Sequence, residues 1–474
     1  MTDDDDEVRS YLAAHLPEML DGLKEWVRIP SVAAAPEHEH ALLRSAHWLA
    51  GALRDVGFPR TEIWPGVHGP AVHAAWCETP GAPTVLVYSH HDVRAVKEEN
   101  WDQTAPFDPV ARDGRLYGRG TSDAKGQVLA HLWGVRAHLA ATGRACPAVN
   151  LKVLVEGEEE AGSPGLAQLL QEHPEELAAD VVIFSDTLLW RADHPALCTG
   201  IRGMLSAHLE IYGPRTDIHS GAVSGAAPNP ALEMARVLAR LHDDRGRITL
   251  PGFYDRVPEI PEARRAELAA LPFDEADWLA RTRTRSIGGE AGYTVLERLW
   301  ERPALEVIDL IAGDPREVSR AVIPSKAAMD LSIRTVLGQK VQDVAEQLRA
   351  WVAERVGDGY EYELTVSTKT SQEAYRTPDH PAVEALARAM AAGFGVDEVG
   401  RMGNAGGGPA DLLSTALGAP VVFFGTGLLE DNWHNSDESV RTDLLLAGAA
   451  TLAHLWDELG RTQPWPPAGA PADP

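Results

Sequence analysis

The chain has 474 residues, 44% hydrophobic and 24% charged, with 43 basic against 70 acidic side chains and a net charge of −27. That length exceeds one ordinary core and implies two or three globular domains. The acidic balance excludes nucleic acid as a partner, because phosphate binding needs a basic footprint. The acidic start, Met1 to Glu7, lacks the basic and apolar segments of a secretory signal. Apolar residues at helical spacing predict helices over 8–29 and 40–56. V-L-V-Y-S at 85–89 reads as a short buried strand, followed by a helix over 126–141 and further apolar strands at 149–155 and 181–184. Apolar runs alternating with helices indicate a largely parallel, buried sheet. The texture changes near residue 203. Met204–Tyr212, Ala327–Thr335 and Tyr360–Ser367 alternate like half-exposed strands, and helices are predicted over 229–241 and 339–355. Residues 245–320 are rich in Pro, Arg and Glu and show little periodicity. The first texture then resumes with a helix over 380–394, a strand at 420–424 and a helix over 440–457. The Pro/Ala-rich tail from Thr462 is expected to be disordered. The economical reading is an α/β domain, 1–203 and 374–474, interrupted by an α+β domain at 204–373.

No run of about 18 apolar residues is present to span a membrane. The three cysteines, Cys77, Cys146 and Cys198, lie far apart and lack C-x-x-C spacing. That excludes a disulfide framework or thiolate zinc site and fits a reducing cytoplasm. Any metal must be held by histidine and carboxylate.

Five segments carry such residues. Ser89-His90-His91-Asp92-Val93 follows the strand at 85–89. Along an extended chain His90 and Asp92 point one way and His91 the other. An imidazole ligand needs a partner for its second nitrogen, and H-x-D supplies a carboxylate. Gly118-Arg119-Gly120-Thr121-Ser122-Asp123-Ala124-Lys125-Gly126 is a tight loop before a helix, where Asp123 also reads as a helix N-cap. Glu156-Gly157-Glu158-Glu159-Glu160-Ala161-Gly162-Ser163 follows the strand at 149–155 and is otherwise explicable as a solvated acidic turn. Ser185-Asp186 closes the run at 181–184, and Trp433-His434-Asn435-Ser436-Asp437-Glu438 follows the strand at 420–424. Each is weak alone. Together they place His and carboxylate at the C-terminal ends of strands of one sheet, where open α/β sheets bind ligands. Such a donor set suits a pair of Zn²⁺ or Mn²⁺ ions.

In this order and spacing the segments resemble the M20 family of metallopeptidases, which includes cytosolic dipeptidases, carnosinases, aminoacylases and glutamate carboxypeptidases. The resemblance spans nearly the whole chain. It implies a catalytic domain with a mixed, mainly parallel sheet and an inserted α+β lid and dimerisation domain. It implies two divalent cations per subunit, one held by His90 and Asp186, the other by Glu160 and His434, with Asp123 bridging and the peptide after Asp123 cis. Asp92 is implied to orient His90, and Glu159 to be the general base; the residues alone do not choose among Glu158, Glu159 and Glu160. His219, in Asp217-Ile218-His219-Ser220-Gly221, corresponds to a histidine that reaches a partner subunit's site in dimeric members. Without the family His219 reads as a turn residue. Arg334 corresponds to an arginine that binds the substrate carboxylate, or else is an exposed strand residue.

The implied function is hydrolysis of the amide bond of a dipeptide by a cytoplasmic homodimer. The alternatives are an N-acyl-amino-acid amidohydrolase of the same family and a non-catalytic binding protein on the same fold. Asp186, where aminoacylases commonly have Glu, and the length of the insertion favour the dipeptidase branch. Three positions depart from it: Gly406-Gly407-Gly408-Pro409 replaces a Gly-Gly-Ser-Ile-Pro loop, Ala321 replaces a Thr, and Ala124 replaces an Asp or Asn.

Overall fold

The computed structural model describes residues 3–313 and 320–462. Its central sheet runs in the order Arg60–Trp64, Ala71–Trp76, Asn150–Glu156, Thr84–His90, Val181–Phe184 and Val421–Phe423. The last four strands are parallel and the first two antiparallel. The parallel strands are apolar without alternation because both faces are covered. Val85 and Val87 point into one core, Leu86 and Tyr88 into the other, as the two-residue strand period requires. The helices Asp3–Val27, Glu39–Val56, Lys125–Thr142, Pro381–Phe394 and Thr442–Arg461 supply Trp26, Leu49, Leu129, Leu386 and Leu452 to the first core. The shorter helices Leu166–Glu172 and Ala410–Leu417 supply Leu169 and Leu413 to the second.

A second, wholly antiparallel sheet has the order Ala304–Ala312, Lys326–Thr335, Gly203–Tyr212, Glu361–Val366. Its alternation buries Leu205, Leu209, Met329 and Leu331 against Met234 and Val237 of the helix Pro230–Leu238 and Leu348 and Trp351 of Val341–Arg355. Asn229 starts the first of these helices, its Oδ1 accepting from the Ala231 N–H at 3.0 Å.

Within these two sheets three strands escape the sequence pattern. Ala71–Trp76 is A-V-H-A-A-W, poor in β-branched residues, and its neighbour Arg60–Trp64 is a mostly half-buried edge. Ala304–Ala312 lies in the stretch of weak periodicity, with a register shift between Val307 and Asp309. The predicted disorder of the tail concerns 463–474, which lie outside the described residues. Among the described residues no helix is long and apolar enough to cross a membrane, and the three cysteines are free.

His73, in the strand Ala71–Trp76, is buried against Trp64 with ring centroids 4.5 Å apart, and neither ring nitrogen has a hydrogen-bond partner among the described residues. Burial, with Arg60 nearby, pushes its pKa down to about 4. An unfolded His takes its proton near 6.5. As pH falls from 6.5 toward 4 the unfolded state therefore binds more protons than the folded one, and stability drops. For His73 the loss is roughly 3 kcal/mol, complete below about pH 4 and absent above 6.5. His73→Phe should flatten this acid slope, measured as urea midpoints at pH 7 and pH 5. An unchanged slope would exclude His73 as its source.

Candidate metal centre

The parallel strands end along one edge of the sheet, and the chemically active residues sit just beyond. His90 ends the strand Thr84–His90, in register with Glu156. The turn Glu159–Ala161 follows the strand Asn150–Glu156, and Asp186 lies two residues past Phe184. Asp123 sits before the helix Lys125–Thr142 without capping it; the N-cap position is Ala124. The Asp123–Ala124 peptide is cis. The loop folds back so tightly that a Cβ on Gly126 would lie 2.0 Å from the Thr121 carbonyl oxygen. His434 lies in the loop after Val421–Phe423 with a φ of 60°.

Folding gathers these residues into two sets with one member in common. His90, Asp123 and Asp186 form one; Asp123, Glu160 and His434 form the other; within each set the potential ligand atoms lie within 4.8 Å of one another. His90 Nε2 is 3.2 Å from Asp123 Oδ1 and 3.7 Å from Asp186 Oδ1. His434 Nε2 is 3.1 Å from Asp123 Oδ2 and 3.3 Å from Glu160 Oε2. His91 points away, its Nε2 2.8 Å from the Pro70 carbonyl. Asp92 stands behind His90. Its backbone oxygen is 3.1 Å and its Oδ1 3.4 Å from His90 Nδ1. Its carboxylate also accepts the Glu159 N–H at 3.2 Å and the Glu160 N–H at 2.9 Å. One aspartate thus ties the histidine strand to the glutamate turn.

The three adjacent glutamates have different surroundings. Glu158 is spent on structure, accepting from the His68 N–H at 2.6 Å and the Gly165 N–H at 2.7 Å. Glu160 joins the second set. Glu159 is part-buried, and its carboxylate has no hydrogen bond or ion pair among the described residues. Burial first, then Asp186 and Glu160, raise its pKa well above the ordinary range against the pull of His90. Burial and Asp123 likewise push Glu160 up to about 8. Burial opposes charge on His90, yet Asp186, Asp123 and Asp92 outweigh it and raise its pKa well above the usual value.

So many carboxylates in one buried place are unfavourable unless cations compensate them. The unused atoms agree: Asp123 Oδ2, Glu160 Oε1 and Asp186 Oδ1 are buried without a hydrogen bond among the described residues. Imidazole nitrogens and carboxylate oxygens fit a hard-to-borderline divalent cation in each set.

Sequence reasoning missed the residues that brace this centre. Glu438, fully buried, accepts from the N–H groups of Gly120, Ser122 and Asp123 and from Arg119 Nη1 at 2.7 Å. Asp431 accepts from Ser122 Oγ at 2.8 Å, which itself accepts from Trp433 Nε1 at 2.7 Å. Arg94 holds Glu160. Arg119, Ser122, Trp433 and Glu438 stood in the motif segments without a role, and Asp431 and Arg94 left no signal in the sequence.

Two expected substrate residues are not joined to the cluster by any hydrogen bond or ion pair among the described residues. His219 is exposed in the short strand Ile218–His219, opposite Val322. Arg334 is half-buried in Lys326–Thr335, and its guanidinium has no hydrogen-bond or ion-pair partner among the described residues. Burial lowers its pKa. Arg202 beside it is pushed down to about 9, by burial and then by Arg334. The Arg202 backbone N–H donates to the Gly406 carbonyl and its Nε to the Ala405 carbonyl, both at 3.1 Å, which seats Arg202 against the start of the Gly406–Pro409 loop.

A family model described as Peptidase family M20/M25/M40 matches residues 86–458. The chain is 30% identical over 341 residues to the Beta-Ala-His dipeptidase of Rattus norvegicus, covering 69% of each. It is 27% identical over 425 residues to the Cysteinylglycine-S-conjugate dipeptidase of Corynebacterium striatum, covering 88% of this chain and 90% of that relative. The crystal structure of human carnosine dipeptidase 1 superposes with a TM-score of 0.84 at 26% identity, over 97% of this chain and 99% of that one. The chain belongs to peptidase family M20/M25/M40.

Proposed function

We propose that this chain is a metallodipeptidase that hydrolyses dipeptides with a free C-terminal carboxylate, acting as a cytoplasmic homodimer with two Zn²⁺ or Mn²⁺ ions per subunit. The observation that carries this reading is the pair of donor sets sharing Asp123. His90 and Asp186 would hold one ion, Glu160 and His434 the other, and Asp123 would serve both. Bound there, the cations supply Lewis acidity and water activation near neutral pH. Asp92 fixes the His90 ring and the backbone of the glutamate turn. Glu159, the carboxylate of that turn left without a partner, takes the proton of the attacking water and passes it to the leaving amine. Arg334, a guanidinium lacking a carboxylate partner, takes the substrate's C-terminal carboxylate as a two-point clamp. That these relatives are named dipeptidases supports a peptide rather than an acyl-amino acid as the substrate of this chain.

A second copy is supported by the edge strand Ala304–Ala312, where Ile308, Leu310 and Ile311 are exposed at 65%, 47% and 45%. An unpaired apolar edge of this kind invites a partner. In such a dimer His219, exposed on the second domain, serves the site of the other copy as an oxyanion donor.

The test is a panel of free dipeptides, dipeptide C-terminal amides and N-acetyl amino acids, with Mn²⁺ or Zn²⁺ supplied. Free dipeptides should turn over and the amides should lose most activity. Arg334→Ala should raise KM about 10–100-fold, the value of a charge-assisted carboxylate contact. Turnover of N-acetyl amino acids alone would reject the dipeptidase reading.

A further inference from the structure

The two halves of the proposed metal centre are not electrostatically equal. Arg94 Nη1 donates to the Glu160 backbone oxygen at 2.5 Å, and its Nε lies 3.3 Å from Glu160 Oε2. His434 Nε2 lies at the same distance from that oxygen. An arginine cation therefore shares the carboxylate atom that the Glu160/His434 set offers to an ion. The His90/Asp186 set has no Lys or Arg within ion-pair distance among the described residues. The two sets also differ in shielding at their histidines: the His90 side chain is 0% exposed and that of His434 50%, while Asp186 and Glu160 are 10% and 3% exposed. Each set has two carboxylates, but only one carries an adjacent permanent positive charge.

We infer that Arg94 is a positioning residue that makes the Glu160/His434 site the weaker, exchangeable member of the pair, while the His90/Asp186 site holds its ion firmly. This rests on the binuclear reading above. Two effects of Arg94 compete. Its hydrogen bond steadies the Glu160 turn, which favours binding, and its charge repels a divalent cation. A divalent ion doubles the Coulomb repulsion of a unit pair, and partial burial strengthens it further. A single part-exposed hydrogen bond is the smaller effect, so charge wins.

The experiment is calorimetric titration of the metal-free full chain with Mn²⁺ alone. Two steps are expected, with His434→Ala abolishing the weak one and Asp186→Ala the strong one. Arg94→Gln should tighten the weak step by about tenfold and leave the strong step unchanged. Arg94→Lys keeps the charge and should keep the wild-type gap. Two indistinguishable steps, or a weak step unchanged or weakened in Arg94→Gln, would overturn this inference and leave the binuclear reading standing. Absence of any Mn²⁺ binding would overturn both. Thermal midpoints of the metal-free variants check that each is folded.

Discussion

Glu159→Gln is expected to lower kcat by about 10²–10⁴-fold, the usual worth of a positioned general base, while two cations per chain remain bound. The substitution keeps shape and removes only the basic oxygen. The turn is held from its backbone, through the Glu159 and Glu160 N–H groups on Asp92, so Gln should not disturb Glu160. KM should change little, because the lost interaction belongs to the transition state. The check is steady-state kinetics alongside metal content by atomic emission. A variant with two ions and kcat within about twofold of wild type would remove Glu159 from the proton path and reopen the choice of base.

Asp123→Ala carries the larger expected loss. Among the described residues Asp123 is the one member of both donor sets, so the variant should retain neither ion firmly. Activity should fall at least about 10³-fold, since even one oxyanion donor is worth about 10²–10³-fold. The loop itself should persist. It is held by Glu438 through the backbone N–H groups of Gly120, Ser122 and Asp123, none of which the substitution removes. An unchanged circular dichroism spectrum with a collapsed metal stoichiometry is the expected pair of results. Two firmly bound ions in Asp123→Ala would contradict the shared-ligand geometry.

Much of this architecture was legible before folding was considered. The strands Thr84–His90, Val181–Phe184 and Gly203–Tyr212 and the helix Lys125–Thr142 lie within about two residues of their predicted ranges, because burial on one or two faces imprints a period of 2 or 3.6. Where burial leaves no such imprint, the pattern failed. Ala71–Trp76 is mostly buried on both faces yet rich in alanine, and Ala304–Ala312 keeps apolar side chains on an exposed edge.

The candidate site divides in the same way. His90, Asp186 and the glutamate run were legible as donors at strand ends, since their position depends only on local chain direction. Their assignment was not. Glu158, Glu159 and Glu160 have the same covalent chemistry, and what separates them is what lies within about 3 Å: N–H groups from His68 and Gly165 for the first, no hydrogen-bond or ion-pair partner among the described residues for the second, His434 and Arg94 for the third. By itself the sequence determined the alternation of elements, the absence of a thiolate site and the places where ligands could stand. Only the tertiary structure decided that Asp123 stands in two sets, that Glu438 braces its loop from 315 residues away, and that, among the described residues, a single arginine sits beside one set and not the other. The reason is physical: periodicity is a local property of the backbone, whereas a carboxylate's role is set by neighbours that chain folding brings from far along the sequence.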